Sequence, residues 1–436
     1  MTDPTDNPLQ GSVDDDEAPP DESEEFDPQD VEPSSSMMRF WRLAIALVVA
    51  ATAVAFIGLA SGGRATSAYS AIGDGVSSAA DWVEDQWQDW TGSLQAMAAE
   101  EPLRPLAAVS GPEGSASMFV GITDEDGAGT AYALFASAPD GLSSVILFPP
   151  NLLSIVPGYG DFSLSQAALF EDVDLAALAV ANLLGIRIDD VAAIAPGLLT
   201  ETLIDPVAVD LPVPLVVEEG DGGRVLADQG LAERSAAVVE LLLTAVGDGG
   251  ELDLLQRQGA VWDGLFAAMI ADPDLGDRVV ALLGSGGELA AAAAVDPGLV
   301  ITAVPIDRTS IGQVEAFTLD QDAVDAFVAD RLAHLLLRVG DRPRAEVLNG
   351  SGQIQATRIV AESLVNRGFR IIRTDNADAF DYTESQVIAQ GRDNRAVAEE
   401  VLKILGTGEL VLEVRAESGV VDVSIIVGQD IPSPEG

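Results

Sequence analysis

The chain has 436 residues and a hydrophobic share of 48%, so it is long enough for two folded domains and too apolar to be wholly disordered. It contains no cysteine and a single histidine, His334, which excludes disulfides, thiolate metal sites and multi-histidine metal sites. Its 71 acidic and 22 basic residues give a formal net charge of −49, which argues against nucleic acid as a partner, because phosphate contacts require clusters of Lys and Arg.

Residues 1–38 are predicted to form a disordered acidic tail in the cytoplasm. They contain no Lys or Arg, and Phe26 is their only aromatic residue. A segment of this composition cannot bury enough apolar surface to offset the entropy lost on ordering.

Residues 39–63 are predicted to cross the membrane as a single helix. The uncharged run 43–61 contains 19 residues, and a helix of that size is about 28 Å long, close to the thickness of the hydrocarbon layer. Arg39 and Arg42 precede the run, whereas Arg64 is followed by acidic sequence. This bias predicts a cytoplasmic N-terminus and a single-pass cell-membrane protein with extracytoplasmic domains.

Residues 64–117 are predicted to form a helical stalk and a linker. Apolar residues recur at alternating spacings of four and three between 76 and 97, which is the spacing of a heptad seam. One interpretation is a stalk that joins chains into homo- or hetero-oligomers. The other is a helix that packs its tryptophan face on the next domain or on the lipid surface.

The rest of the chain predicts two α/β units, at 118–338 and 344–431, separated by a hinge at 340–343. Strand-like and helix-like segments alternate through both units, which is typical of a layered α/β fold. In the first unit we predict strands at 131–136 and 144–148, and helices at 164–184, 232–246, 254–270 and 320–338.

Four segments of the second unit carry a family signature. These are the turn Asn349-Gly350-Ser351-Gly352 with the two residues before it, the strand start at 368–371, the helix 396–405 after Gly391, and the closing Gly428-Gln429-Asp430. The unit resembles the LytR C-terminal domain, an accessory domain of cell-envelope proteins.

Three segments of the first unit, at 154–160, 183–190 and 256–258, agree in order and spacing with a second family. The unit resembles the LytR–CpsA–Psr family. The resemblance implies an extracytoplasmic phosphotransferase that moves a glycopolymer from a polyprenyl-diphosphate carrier to the cell wall. In that family arginines hold the pyrophosphate, aspartates hold Mg²⁺, and an apolar cavity holds the polyprenyl tail.

The charged residues of that family are mostly replaced in this chain. Its Pro-Arg-Asp reads Pro149-Pro150-Asn151, an expected aspartate reads Gly129, and the arginine before the Arg-Gln-Gln motif reads Leu254. The lysine and asparagine that start one helix read Ser163 and Ser165. Because a transferred phosphoryl group needs strong electrostatic stabilisation, the resemblance then implies a non-catalytic relative without a metal site.

Arg257, Gln258 and Asn151 remain as candidate contacts to a phosphate or lipid diphosphate. The helix 164–184 is apolar on most faces, which fits either an ordinary core helix or the wall of a lipid pocket. We therefore expect no catalytic residue and no cofactor, with Mg²⁺ as the alternative if the domain is active.

Three functions stay open from the sequence. The first is a membrane-anchored envelope protein that binds or scaffolds, with a polyprenyl-linked glycopolymer, peptidoglycan or an active family member as partner. The second is a divergent phosphotransferase that still attaches glycopolymer to the wall. The third is an envelope sensor or regulator that acts through the acidic cytoplasmic tail.

Overall fold

The computed structural model describes residues 108–219, 222–312, 314–413 and 419–431. The predicted acidic tail, the predicted membrane span and most of the predicted stalk lie outside these residues. The described residues confirm the α/β class expected from the alternation of strands and helices.

The elements between residues 116 and 202 build the first part of the fold. They are β1 (Ala116–Thr123), β2 (Gly129–Ser137), β3 (Ser143–Phe148), β4 (Leu153–Val156), β5 (Gly160–Ser163), α1 (Leu164–Leu184), β6 (Asp190–Ile194) and α2 (Leu198–Thr202). The elements that follow are β7 (Val207–Leu211), β8 (Leu215–Glu219), β9 (Gly222–Ala227), β10 (Gly230–Arg234), α3 (Ala236–Thr244), α4 (Gly250–Ala271), α5 (Pro273–Leu283), α6 (Gly287–Val295), β11 (Val300–Ala303), β12 (Ile306–Ile311), β13 (Val314–Leu319) and α7 (Gln321–Arg331).

A five-stranded sheet in the order β11-β3-β2-β1-β6 forms the centre of this domain. Strands β1, β2 and β3 pair antiparallel, while β6 and β11 join the two edges in parallel register. The three central strands are buried on both faces, so their side chains alternate between two cores. Phe119 and Phe148 enter one core, and Val120 and Leu147 enter the other.

Helices cover both faces of the sheet and complete three layers. Helix α1 packs on the face of Phe119, and helices α4, α5 and α6 pack on the face of Val120. Helix α1 begins at a capping box formed by Ser163 and Gln166 and ends at Gly185, whose φ of 71° lies in the left-handed region. Its residues Leu175 and Val180 are fully buried, which favours the core interpretation of this helix.

The predicted start of the helix 232–246 is wrong. Residues 230–234 form strand β10, which pairs antiparallel with β7, and helix α3 begins only at Ala236. The paired residues of β7 and β10 lie 19 to 27 positions apart in sequence, so the local apolar pattern did not reveal the strand. The predicted helix 320–338 is also shorter, because α7 ends at Arg331 and a 3₁₀ turn follows at Ala333–Leu335.

The C-terminal domain is a second α/β layer structure. Its elements are β14 (Arg344–Asn349), α8 (Ile354–Val365), β15 (Arg370–Asn376), β16 (Gln386–Gln390), α9 (Arg395–Leu405), β17 (Glu409–Glu413) and β18 (Val423–Val427). The sheet order is β15-β14-β18-β16-β17, with β14 parallel to both of its neighbours and β16 antiparallel to β18.

The segment 340–343, predicted as a hinge, is a packed joint. The Arg342 guanidinium donates from Nη2 to the carbonyls of Asn182 at 2.8 Å and Phe369 at 2.9 Å. Burial, and then the nearby Arg370, lower the pKa of Arg342 to about 10. The Asn182 side chain donates to Ile371 O at 2.9 Å and accepts from Ile371 N at 2.8 Å. Helix α1 is thus hydrogen-bonded directly to strand β15 of the C-terminal domain.

Among the described residues, the stretch Pro273–Val295 alone is long and apolar enough to be considered as a membrane span. It consists of α5 and α6 joined by a 3₁₀ turn at Gly284–Gly286. Val279 and Ala290 from this stretch are buried in the core beneath the central sheet. Core helices of water-soluble domains meet the same criterion, so this stretch is weak evidence for a span.

Candidate functional site

A cavity of about 1060 Å³ lies between helices α4 and α6 and the edge strand β11. Its walls are mainly apolar, and Leu255, Phe266, Ala294 and Ile301 are among them. The volume reaches the upper end of the usual range for small-molecule sites. The space is available because α4 carries the small residues Gly259 and Ala260 on the face that turns toward β11.

The charged groups at this cavity are all negative. Among the described residues that line it, Asp210, Asp263 and Asp296 are charged, and none is Lys, Arg or His. Asp296 accepts the N–H of Ser143 at 2.6 Å and that of Gly298 at 2.7 Å. The bond from Gly298, together with those from Ser143, lowers the pKa of Asp296 and keeps it ionised. The cavity therefore combines an apolar interior with anionic walls.

Exposed apolar side chains flank the cavity. Ile270 lines it and is 58% exposed, and Val295, between two lining residues, is 70% exposed. Leu142, which lies against Gly298, is also exposed. Clustered apolar exposure of this kind is typical of a surface that meets an apolar ligand or partner.

Arg257 lies on α4 but points away from this cavity. It is 1% exposed, and its Nη2 donates to Ala245 O at 2.6 Å and to Val246 O at 2.7 Å. These carbonyls follow the last residue of α3, so the guanidinium caps the end of that helix. Burial lowers the pKa of Arg257, although Asp253 partly offsets the effect. The predicted phosphate contact is therefore not presented to solvent in this structure.

Gln258 supports the same helix pair. Its Nε2 donates to Leu243 O at 2.7 Å, and the residue packs beside Trp262 against strands β1 and β2. Within the described residues, the side-chain hydrogen bonds of Arg257 and Gln258 end on carbonyls between residues 243 and 246. The structure does not bring either residue to Asn151.

Asn151 instead meets a buried carboxyl group. Its N–H donates to Glu251 Oε2 at 3.0 Å, and its carbonyl accepts from Phe317 N at 3.1 Å. Glu251 is only 3% exposed, and burial raises its pKa to about 7, with Glu315 adding to the increase and the bonds from Asn151 opposing it. Glu315 itself is paired with Arg308 at 2.9 Å.

Glu251 was missed as a site residue by the sequence reasoning. It opens the four-residue segment whose last position, Leu254, replaces the arginine of the resembling family. The replacement at Leu254 removes a charge, yet Glu251 at the start of the same segment carries a carboxyl group. Its contact with a loop 100 residues earlier could be found only from the fold.

Two other replaced positions have structural roles. Gly129 lies directly against the hydroxyl of Tyr132, so any side chain there would overlap it. That hydroxyl donates to Leu164 O at 2.8 Å, and burial raises the pKa of Tyr132 far above its usual range. Ser163 caps helix α1. The aspartate and the lysine of the resembling family would disturb these contacts.

These residues do not fit a magnesium ion. Mg²⁺ is held in octahedral geometry by carboxylates, phosphates and water. Asn151 faces the single carboxyl of Glu251, and Glu315 nearby is engaged by Arg308. Across the described part of the chain, no group of three or more His, Asp or Glu side chains is placed to hold a metal.

Comparison with known proteins identifies the C-terminal domain. Residues 342–430 match the family model described as LytR cell envelope-related transcriptional attenuator. A search of curated proteins gives no match.

Several solved structures are similar to about half of the chain. Bacillus subtilis TagV is 12% identical, with 51% of this chain and 98% of that chain covered and a TM-score of 0.44. B. subtilis TagT is 15% identical, with 54% and 97% covered and a TM-score of 0.39. A LytR-Csp2A-Psr enzyme from Actinomyces oris is 18% identical, with 53% and 96% covered and a TM-score of 0.40. The resemblance of the C-terminal unit to the LytR C-terminal domain is confirmed by the family model that matches residues 342–430. The solved structures to which the chain is similar include a LytR-Csp2A-Psr enzyme.

Proposed function

We propose that this chain is a membrane-anchored cell-envelope protein that binds an apolar-chain ligand and does not transfer a glycopolymer. The observation that carries this proposal is the cavity beside α4, which has apolar walls, three carboxylates and no cationic side chain among its lining residues. Such a cavity can take up a hydrocarbon chain, but its lining residues offer no cationic group to stabilise a phosphoryl transfer.

The replaced positions support a binding role. Phosphoryl transfer depends almost entirely on positioning and on electrostatic stabilisation of the transferred group. Removal of a single strong electrostatic donor from such a site typically lowers the rate by about 10²–10³. Here Arg257 is bound to backbone carbonyls, Asn151 is bound to Glu251, and Gly129 has no space for a carboxylate. We therefore also propose that the domain uses no Mg²⁺.

The C-terminal domain supports a scaffolding role. It is joined to the first domain through Asn182 and Arg342, so a ligand-bound first domain would present the second in a defined orientation. The membrane, a polyprenyl-linked glycopolymer, peptidoglycan or an active family member are the partners we propose. We also propose that the stalk, which lies mostly outside the described residues, joins chains into oligomers.

The decisive experiment is a transfer assay with the full chain in detergent micelles. The protein is incubated with a polyprenyl-diphosphate-linked glycopolymer, a wall acceptor and Mg²⁺, and the A. oris enzyme serves as the control for a competent assay. We expect no transfer above background. Magnesium-dependent transfer by the wild-type chain, retained after removal of contaminants by a second purification step, would contradict the proposal.

A divergent phosphotransferase is the second candidate, and Glu251 is the observation that favours it. A buried carboxyl group with a pKa of about 7 suits a general acid or base near neutral pH. If this candidate is correct, the wild-type chain turns over substrate, and Glu251→Gln lowers that rate by about 10²–10⁴. Equal turnover of the variant and the wild type would exclude Glu251 as the catalytic group.

The regulatory alternative concerns the acidic tail, which lies outside the described residues. It stays a prediction. Deletion of residues 2–36 that changes an envelope phenotype at an unchanged membrane level of the protein would support it.

A further inference from the structure

We infer that the ligand of the cavity beside α4 is a long-chain molecule whose polar end carries no negative charge, such as a long-chain alcohol. This inference rests on the proposed binding function and names the chemical class of the ligand. It departs from the resemblance, which implies an anionic diphosphate at the end of the chain.

The walls of the cavity set the class of the chain. Leucine, isoleucine, phenylalanine and alanine side chains form most of the lining, and they come mainly from α4, α6, β3 and β11, with Leu299 and Ile306 beside them. Ile270 and Val295 continue this apolar surface out to solvent. Burial of a hydrocarbon chain in such a cavity is favourable in proportion to the apolar area removed from water.

The carboxylates set the charge of the polar end. Asp210, Asp263 and Asp296 come from three different elements, β7, α4 and the turn after α6, so negative charge reaches the cavity from several sides. Asp210 and Asp263 are close in the fold, since Gly264 packs on Val209. A diphosphate in this cavity would meet repulsion from these carboxylates, and added salt would weaken that repulsion.

The arginines nearby do not compensate this charge. Among the described elements that build the cavity, Arg257 on α4 and Arg308 on β12 are the basic residues. Arg257 is held by the carbonyls of Ala245 and Val246, and Arg308 is paired with Glu315. A ligand phosphate would have to break these contacts before it gained a cationic partner.

The test compares ligands that share a hydrocarbon chain and carry zero, one or two phosphate groups at its end. Farnesol, farnesyl phosphate and farnesyl diphosphate are titrated against the full chain in detergent micelles, with competition against a radiolabelled farnesol probe. We expect farnesol to bind at least about tenfold more tightly than the diphosphate at moderate ionic strength, and we expect added salt to narrow the difference.

Variants show whether the cavity is responsible. Ala260→Trp fills the cavity from α4 and should remove specific farnesol binding. Ala267→Trp, at an exposed lining position, gives a second obstruction if the first variant fails to fold. Asp263→Lys should reduce the preference for farnesol over the diphosphate by about three- to tenfold.

Asp325→Lys is the matched control for the charge change. Asp325 is exposed on α7, whose buried residues Val324 and Val328 pack on the opposite face of the central sheet from the cavity. Asp325→Lys changes the net charge by the same amount as Asp263→Lys and should leave the preference for farnesol over the diphosphate unchanged. Tighter binding of the diphosphate, abolished by both tryptophan variants, would overturn the inference and leave the binding function intact. Absence of specific binding by every ligand would overturn both.

Discussion

The joint between the two domains gives the sharpest stability prediction, through the substitution Asn182→Ala. Asn182 is 2% exposed on α1, and its side chain makes two short hydrogen bonds to the backbone of Ile371 on β15. It therefore pairs with β15 much as a neighbouring strand would. Alanine has no side-chain amide, so the N–H and the carbonyl of Ile371 both lose their hydrogen-bond partner.

The magnitude follows from the burial of those two groups. Ile371 is itself almost fully buried, so water cannot readily replace the lost partners. Each unsatisfied buried backbone group costs about 1–3 kcal/mol, so the loss of both partners should lower the unfolding free energy by about 2–6 kcal/mol. Arg342 retains its bond to the carbonyl of residue 182, which limits the loss.

Differential scanning calorimetry and urea unfolding of the full chain measure this effect. We expect the two domains of the wild type to unfold in one coupled transition, and the variant to separate that transition into two. Asn394→Ala is the control, because Asn394 also donates its amide to a carbonyl, Gln390 O at 2.7 Å, but does so within the C-terminal domain. It should cost about 1 kcal/mol and leave the coupling intact. A change below about 0.5 kcal/mol in Asn182→Ala would refute this account of the joint.

Three further substitutions test the residues that replace the family's charges. Burial raises the pKa of Glu251 from 4.5 to about 7, so the folded state binds this proton more tightly than the unfolded state does. The protonated group therefore contributes its full stabilisation below about pH 4.5. That contribution is lost as the pH rises toward 7. Urea unfolding at pH 5 and pH 8 gives the difference in unfolding free energy between Glu251→Gln and the wild type. This difference should be about 2–3 kcal/mol more favourable to the variant at pH 8 than at pH 5. An equal difference at the two pH values would contradict the raised pKa. Arg257→Ala should cost about 2–4 kcal/mol in thermal and urea unfolding, because the carbonyls of Ala245 and Val246 lose the Nη2 donor that they share. Unchanged stability with weakened phosphate binding would instead support the contact predicted from sequence. Gly129→Asp should lower stability by about 1–3 kcal/mol through overlap with the Tyr132 hydroxyl and should not create transfer activity, and a folded variant that gains magnesium-dependent turnover would refute this.

Local sequence signals predicted those parts of the fold that depend on local chemistry. The helix 164–184 was bounded correctly because Ser163 and Gly185 cap it through contacts within a few residues. Strand β10 was assigned to a helix because its identity depends on pairing with β7. The joint at Arg342 was interpreted as a hinge for the same reason, since a Gly-Asp-Arg-Pro segment gives no sign of the carbonyls that bind the arginine.

The candidate site was predicted less well than the fold. Sequence order placed Arg257 and Asn151 in one site by resemblance, but the direction of a side chain on a buried helix depends on which helix packs beside it. Arg257 meets the end of α3, while Glu251, less than two turns earlier on α4, meets Asn151. The cavity could not be predicted at all, because its lining comes from segments spread between residues 147 and 306.

The replaced residues also explain why restoring a single family residue would not restore a phosphate site. Asn151→Asp would place a second carboxyl group against Glu251, whose pKa is already raised by burial and by Glu315. Two carboxyl groups in contact cannot both ionise unless a cation lies between them. Arg308 is committed to Glu315 and Arg257 to the end of α3, so no guanidinium in these contacts is available to neutralise the pair. The pair would retain a proton instead of binding a metal, and the loop at 149–152 would lose the amide side chain that now bonds to Glu251.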